Sequence, residues 1–295
     1  MNDKLLLVVN PRSGRGRAKD YIIEIVSTLT QGGKTVTVYP TCNKAATISY
    51  VAENVIKYNT IVVCGGDGTL NEVLNGLILS GVKIPVGYIP LGSTNDFATS
   101  LDLPSDCITA AENILNGNIF QYDIGSMNDN YFSYIACAGA FAETSYTTNQ
   151  NLKNKIGHSA YLLSSVKSLS TLRKITMEVN TPEFSVTGDY LFCSFSNSLN
   201  AGALLNFKGM DIKFDDGLFE LLLVKMPRDL LEFSALIRDL LNANLKNKYI
   251  ELFRTNECHI KIERGIGWSL DGEDGGITDD IYLKVHPKAI DIIRS

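Results

Sequence analysis

Apolar residues in the first third of the chain fall in short runs, separated by segments with helical spacing. Residues 5–9, 35–39, 60–64 and 84–89 read as strands, and 18–29, 45–56 and 69–79 as helices. Gly32-Gly33 and Gly81 stop two of these helices. Short strands alternating with helices imply βαβ units, hence a parallel sheet with helices on both faces.

After residue 118 the pattern changes. Segments 120–127 and 131–138 flank Asn128-Asp129-Asn130, a hairpin signal. Segments 175–179, 184–186, 190–196, 219–225, 259–263 and 281–286 are strand-like, interrupted by helical spacing over 159–172 and 230–243. A chain of 295 residues is long for one core and suits two domains. The expectation is an α/β domain over 1–123 and a β-rich, mainly antiparallel domain over 124–286, with the tail 287–295 returning to the first.

Composition narrows the partners. Apolar content of 45% and charged content of 20% are those of an ordinary globular protein. A net charge of −5 gives no bulk attraction to nucleic acid. No apolar run approaches the roughly 20 residues that span a bilayer, and Leu5-Leu6-Leu7-Val8-Val9 is too short for a signal-peptide core. The expected location is the cytoplasm. Six scattered cysteines without a C-x-x-C pair read as reduced and mostly buried, and three scattered histidines give no zinc spacing.

The chemistry gathers in loops. Gly65-Gly66-Asp67-Gly68-Thr69 follows the strand 60–64 and opens a helix. Glycines there let backbone approach phosphate, and the helix start offers N–H groups and a positive dipole end. Thr69 suits either a helix cap or a phosphate contact, and Asp67 suggests a metal or a hydrogen-bonded structural part. Asn10-Pro11-Arg12-Ser13-Gly14 follows the first strand, and Pro90-Leu91-Gly92-Ser93-Thr94-Asn95-Asp96 the fourth. All three loops lie at strand carboxyl ends, where open α/β sheets bind ligands. Neither G-x-x-x-x-G-K-[ST] nor G-x-G-x-x-G is present, so Walker and Rossmann readings are weak.

Five segments together are similar to one family: NPRSGRGRA at 10–18, GGDGTLNEVLNG at 65–76, PLGSTNDFA at 90–98, FDDGLFELLLV at 214–224 and SLDGE at 269–273. In this order they resemble the diacylglycerol kinase catalytic family, in particular the soluble bacterial lipid kinases. The resemblance implies an α/β nucleotide domain joined to a β-sandwich, with the active site in the interdomain cleft. It implies an ATP site lined by Asn10, Pro11, Arg12, Ser13, Gly14, Thr41, Gly66, Asp67, Gly68, Thr69, Leu70, Asn71, Glu72 and Ser93, and the third loop adds Asn95 and Asp96. Ser93 stands where many relatives have threonine, and keeps the hydroxyl. Glu273 is implied as the base that takes the acceptor's proton, with Asp67 organising the phosphate loop or a metal. A structural Mg²⁺ is implied on Asp216 and the carbonyls of Lys213 and Leu218, linked through water to Asp123. A second Mg²⁺ arrives with ATP.

The implied reaction is transfer of the γ-phosphoryl group of ATP to diacylglycerol or a related lipid alcohol at a membrane surface. Other acceptors (a sphingoid base, phosphatidylglycerol, NAD) and a catalytically inactive nucleotide-binding regulator are the alternatives. Arg12, Arg15, Arg17 and Lys19, and Lys153, Lys155, Lys167, Arg173 and Lys174, are candidate groups for transient peripheral membrane contact. An exposed sheet edge would permit a homodimer.

Overall fold

A computed structural model describes residues 3–16, 18–140, 142, 173–198, 200–201, 205–206, 212–242 and 244–295. The chain divides into two units, Met1–Ile124 with Pro287–Ser295, and Gly125–His286.

In the first unit, strands β1 (Asp3–Val9), β2 (Lys34–Pro40), β3 (Thr60–Gly65), β4 (Pro85–Pro90) and the end of β15 (Glu273–Arg294) make a parallel sheet in the order β2-β1-β3-β4-β15. Helices α1 (Ala18–Gln31), α2 (Lys44–Asn54), α3 (Asp67–Ser80), α4 (Asp96–Ser100) and α5 (Cys107–Asn116) connect them. The residues of β3 and Leu5–Val9 of β1 are all buried, as strands covered on both faces must be. Ile25 and Leu29 of α1 and Ala110, Ala111 and Ile114 of α5 pack on Leu5, Leu7, Val62 and Cys64. Helices α2 and α3 meet through Gly76, where an added Cβ would lie 2.7 Å from both the Ile48 carbonyl oxygen and the Val51 side chain. The tail pairs with β4 through Asp291↔Pro85 and Ile292↔Val86.

The second unit takes up β5 (Asn118–Met127) from Gly125 on, then β6 (Asn130–Phe132), β7 (Ile135–Gly139), β8 (Ile175–Asn180), β9 (Ser185–Ser196), β12 (Phe219–Lys225), β13 (Ile250–Thr255), β14 (Glu257–Leu270) and most of β15. A short pair, β10 (Asn200–Ala201) and β11 (Leu205–Asn206), stands apart, and α6 spans Leu230–Leu241. The expected mainly antiparallel pairing is present as one ladder, β13-β12-β9-β7-β14-β15. Long strands β9 and β14 carry it, with β7 and β8 both bridging them. The ladder folds back on itself. Phe132 of β6 comes within 6.0 Å of Phe219 of β12, although β6 lies beyond β15 in the pairing order. Trp268, Phe195, Phe219 and Leu270 lie in the enclosed core.

Several elements differ from the sequence pattern: helix α5 was not expected, and 259–263 and 281–286 are parts of the longer strands β14 and β15. Segments 184–186 and 190–196 belong to one strand, because Thr187 and Gly188 stay paired with Glu178 and Met177 of β8. Strand β13 was unread because its half-buried residues show no clean alternation. Helix α3 begins at Asp67, two residues before the expected start at Thr69. The expected helix 159–172 lies outside the described residues.

The close approach of α2 and α3 gives a test. Gly76→Ala should lower stability by about 1–3 kcal/mol, the cost of overpacking against backbone. Chemical denaturation measures it, and an unchanged midpoint would show that the helices separate freely.

Candidate active site

The sheet of the first unit reverses its winding between β1 and β3, and ligands of open parallel sheets bind at the carboxyl ends beside such a switch. The first two loops start there. Asn10 N–H donates to the Cys64 carbonyl at 3.0 Å, and Arg12 N–H to Asn10 Oδ1 at 3.0 Å. The Asn10 amide then reaches across the switch and donates to Thr69 Oγ1 at 3.0 Å. Thr69 therefore does not cap α3. Gly66 occupies the cap position without a side-chain bond, and the helical ladder starts with Leu70 N–H on the Gly66 carbonyl at 3.0 Å. The N–H groups ahead of that bond face out of the helix end, where an anion is stabilised. Only glycine fits before this turn. A Cβ on Gly65 would lie 2.7 Å from Thr69 Cβ.

The third loop is fastened to the same helix start. Leu91 N–H donates to the Gly65 carbonyl at 2.7 Å. Gly92 lies against Gly66 so closely that a Cβ on it would stand 2.8 Å from Gly66 Cα. Asn95, in the left-handed region at φ 52°, accepts from Gly92 N–H at 2.8 Å. Both oxygens of Asp67 are used here. Oδ1 accepts from the Tyr88 hydroxyl at 3.2 Å, and Oδ2 from Asp96 N–H at 2.9 Å. Burial, and then the Asp67 charge, push the Tyr88 phenol well above its usual range, so it stays a donor.

Direct bonds thus join Asn10 to Thr69, and Asp67 to Asp96. Thr41 is placed at the same sheet end by its N–H on the Val9 carbonyl at 2.8 Å. Glu72 is half-buried and acts on the Tyr39 phenol, which burial first raises. Asn71 is buried, and Asn75 donates to its carbonyl at 2.9 Å. Arg12, Ser93 and Lys19 are exposed, and Gly14 adopts φ 61°. Tyr88 and Gly92 were not singled out from the sequence. An apolar strand hides the first, and the second carries no chemistry of its own.

In the second unit, Asp271 and Gly272 have φ 51° and 83° between the paired residues Leu270 and Glu273. Both central residues are left-handed, the form that an Asp-Gly hairpin turn favours. The Asp271 carboxylate is 4% exposed. It accepts from the N–H groups of Ser133, Tyr134 and Ile135 at 2.6, 2.9 and 3.1 Å and from Ser133 Oγ at 2.8 Å. It thereby holds the break between β6 and β7, and Glu273 leaves the turn exposed.

Asp216 is exposed, in the turn before β12. Its Oδ1 accepts from Leu218 N–H at 3.1 Å, and its Oδ2 pairs with Arg254 at 2.6 Å. One carboxylate with the Lys213 and Leu218 carbonyls suits a hard cation in donor type, though Arg254 already compensates the charge. Asp123 is fully buried and accepts from Lys288 N–H at 2.7 Å. Among the described residues, no three His, Cys, Asp or Glu side chains form a metal cluster. Arg254 also reaches Glu220 Oε1 at 3.2 Å. Burial pushes the Glu220 carboxyl up to about 7 against that attraction.

Two tests follow from these carboxylates. Asp67→Ala should expose the amides of residues 92–98 to hydrogen exchange and cut kcat/KM for nucleotide at least tenfold, with Asp67→Asn milder because its carbonyl still accepts one bond. Exchange at 92–98 equal to wild type would mean that Asp67 does not hold the loop. Glu220 binds a proton in the folded state between pH ~4.5 and ~7 that the unfolded chain releases. Stability should therefore fall as pH rises through that window, by about 3 kcal/mol in all. Glu220→Gln should flatten this profile and be the more stable protein at pH 8, as read by urea denaturation.

Comparison with known proteins places the chain among relatives of one name. The model of the "Diacylglycerol kinase catalytic domain" family matches residues 4–127. A protein of Bacillus subtilis (strain 168) named diacylglycerol kinase is 29% identical over 283 residues, covering 95% of this chain and 93% of its own. One of Staphylococcus epidermidis with the same name is 32% identical over 231 residues, 76% of this chain and 71% of its own. A crystal structure of a diacylglycerol kinase from Bacillus anthracis str. Sterne has a TM-score of 0.77 at 20% identity, covering 99% of this chain and 97% of that one. A second structure from that organism reaches a TM-score of 0.84 at 23% identity with the same coverage. No helix among the described residues is long and apolar enough to cross a membrane. The chain belongs to the diacylglycerol kinase catalytic-domain family and is a kinase-type phosphotransferase acting in lipid metabolism.

Proposed function

We propose that this lipid kinase moves the γ-phosphoryl group of ATP to the hydroxyl of diacylglycerol or a related lipid alcohol. The observation that carries the reading is the joining of three glycine-bearing loops at the switch between β1 and β3, through Asn10–Thr69 and Asp67–Asp96. The helix start at Asp67, Gly68 and Thr69 takes the phosphates, and Asn10 to Gly14 closes over them with Arg12 adding charge. Thr41, Leu70, Asn71, Glu72 and Ser93 complete the nucleotide site. The acceptor oxygen forms its bond to the γ-phosphorus as the bond to the bridging oxygen breaks and ADP leaves. Glu273 takes the acceptor's proton. Lys213, Asp216 and Leu218 would hold a Mg²⁺, with Asp123 linked through water. A divalent ion accompanying ATP supplies neutralisation of phosphate charge.

A lipid acceptor requires transient contact with a bilayer. Arg12, Lys19 and Arg173 are exposed, Lys174 is exposed and paired with Asp189 at 2.9 Å, and Arg17, Lys153, Lys155 and Lys167 lie outside the described residues.

The test is transfer of labelled γ-phosphate from ATP across a panel of lipids in mixed micelles. Diacylglycerol should be labelled, and phosphorylation of NAD with no lipid labelled would overturn the reading. Glu273→Gln should lower kcat by about 10²- to 10⁴-fold, the usual contribution of a positioned base, with KM for ATP within twofold. Undiminished turnover would remove Glu273 from that role.

A further inference from the structure

The second unit's sheet has a face turned away from its apolar core. Cys193 and Phe195 of β9 join the core, so the alternate residues Ser194 and Ser196 point to the other face. Cross-strand partners share a face. Glu220 of β12 stands opposite Ser196. Ser194 stands opposite Cys137, Cys137 opposite Ser269, and Ser269 opposite Asp274.

This row is enclosed but unsatisfied. Ser194 and Ser196 are 0% exposed and Glu220 is 1% exposed. Ser194 Oγ, Ser196 Oγ and Glu220 Oε2 have no hydrogen-bond partner among the described residues. Buried polar groups are nearly always paired, so three orphans on one face call for a partner from outside the chain. Leu222, opposite Ser194, and Ile135, opposite Ser196, share this face and are buried beside them.

The charges select its type. Arg254 already bonds Glu220 Oε1, so an ammonium on Oε2 would share the carboxylate with a guanidinium. An anion would meet Glu220 and Asp216 together. Uncharged oxygen suits every orphan. Serine hydroxyls donate to a carbonyl or a hydroxyl, and Oε2 accepts from a hydroxyl. Ser194 and Ser196 are spaced about 7 Å along the strand, the reach of one glycerol ester unit. Strand spacing puts Asp274 about 14 Å from Ser194, so one glycerol unit does not bridge both.

We infer that Ser194, Ser196 and Glu220 form a binding subsite for uncharged hydroxyl and ester oxygens, those of a glycerolipid or of a free polyol. The lipid source rests on the lipid-kinase reading; the subsite itself does not.

Trp268, the single tryptophan, adjoins Ser269 and reports on this sheet. Its emission should change saturably with dioctanoylglycerol. The double variant Ser194→Ala/Ser196→Ala should raise half-saturation at least tenfold, with ATP half-saturation unchanged and a melting temperature equal or higher, since two orphan hydroxyls are gone. A serine-dependent response to glycerol alone would assign the subsite to a free polyol. No saturable response in wild type, or the same half-saturation in the double variant, would overturn the inference and leave a row of buried water. Octylamine competing as tightly as dioctanoylglycerol would overturn the uncharged assignment. Serine-dependent binding without phosphoryl transfer to any lipid would overturn the kinase reading alone.

Discussion

The arrangement of the nucleotide loops depends on one carboxylate. Asp67 sits in the first turn of α3, where the helix dipole favours its charge. From there it binds the Tyr88 hydroxyl on β4 and the Asp96 amide at the start of α4. Two loops far apart in sequence are thereby held glycine against glycine, with Gly66 and Gly92 in backbone contact. Without that contact the helix start and the third loop would be separate turns. Charge-assisted bonds to a half-buried carboxylate are among the stronger ones in water, at about 1.5–3 kcal/mol each. Asp67 thus fixes the geometry of these two loops.

Much of this was legible in the sequence, for a physical reason. Phosphate loops need glycine in runs, and parallel strands buried on both faces need unbroken apolar runs. Gly65–Thr69 and the β3 residues therefore announce themselves. The Asn10–Thr69 bond did not, because it joins residues 59 apart and depends on the strand order. Of the two parts the sequence allows Thr69, capping is ruled out because Gly66 takes the cap position and the helix starts at Asp67. Strand β13 was illegible because its half-buried residues show no clean alternation, and the course of β9 because Gly188 interrupts its apolar run between an exposed half and a buried half. The Asp-Gly pair at 271–272 did carry a hairpin signal, and it marks the turn that presents Glu273.

The second unit rewards a comparison of its buried acids. Asp271 accepts four hydrogen bonds from three consecutive residues. Such a group is scaffold: its lone pairs are filled, and its work is to fix the Glu273 turn. Glu220 is equally buried, but one oxygen meets only Arg254 and the other meets nothing among the described residues. An unmade bond of this kind costs about 1–3 kcal/mol. A leucine or glutamine at that position would remove most of the cost.

The sequence places the unsatisfied group on a face shared with Ser194, Ser196, Leu222 and Ile135, and the satisfied one beneath a turn. Stability alone favours the opposite treatment of Glu220, so its retention points to something the folded chain does with the vacant oxygen. Pre-formed sites share this property: they are built from groups whose partners arrive later, and the surrounding fold bears the cost meanwhile. On the function proposed above, the helix start at Asp67 is such a site for phosphate. By the inference drawn above, Ser194, Ser196 and Glu220 mark a second one, with β7 lying between β9 and the β14–β15 turn that carries Glu273.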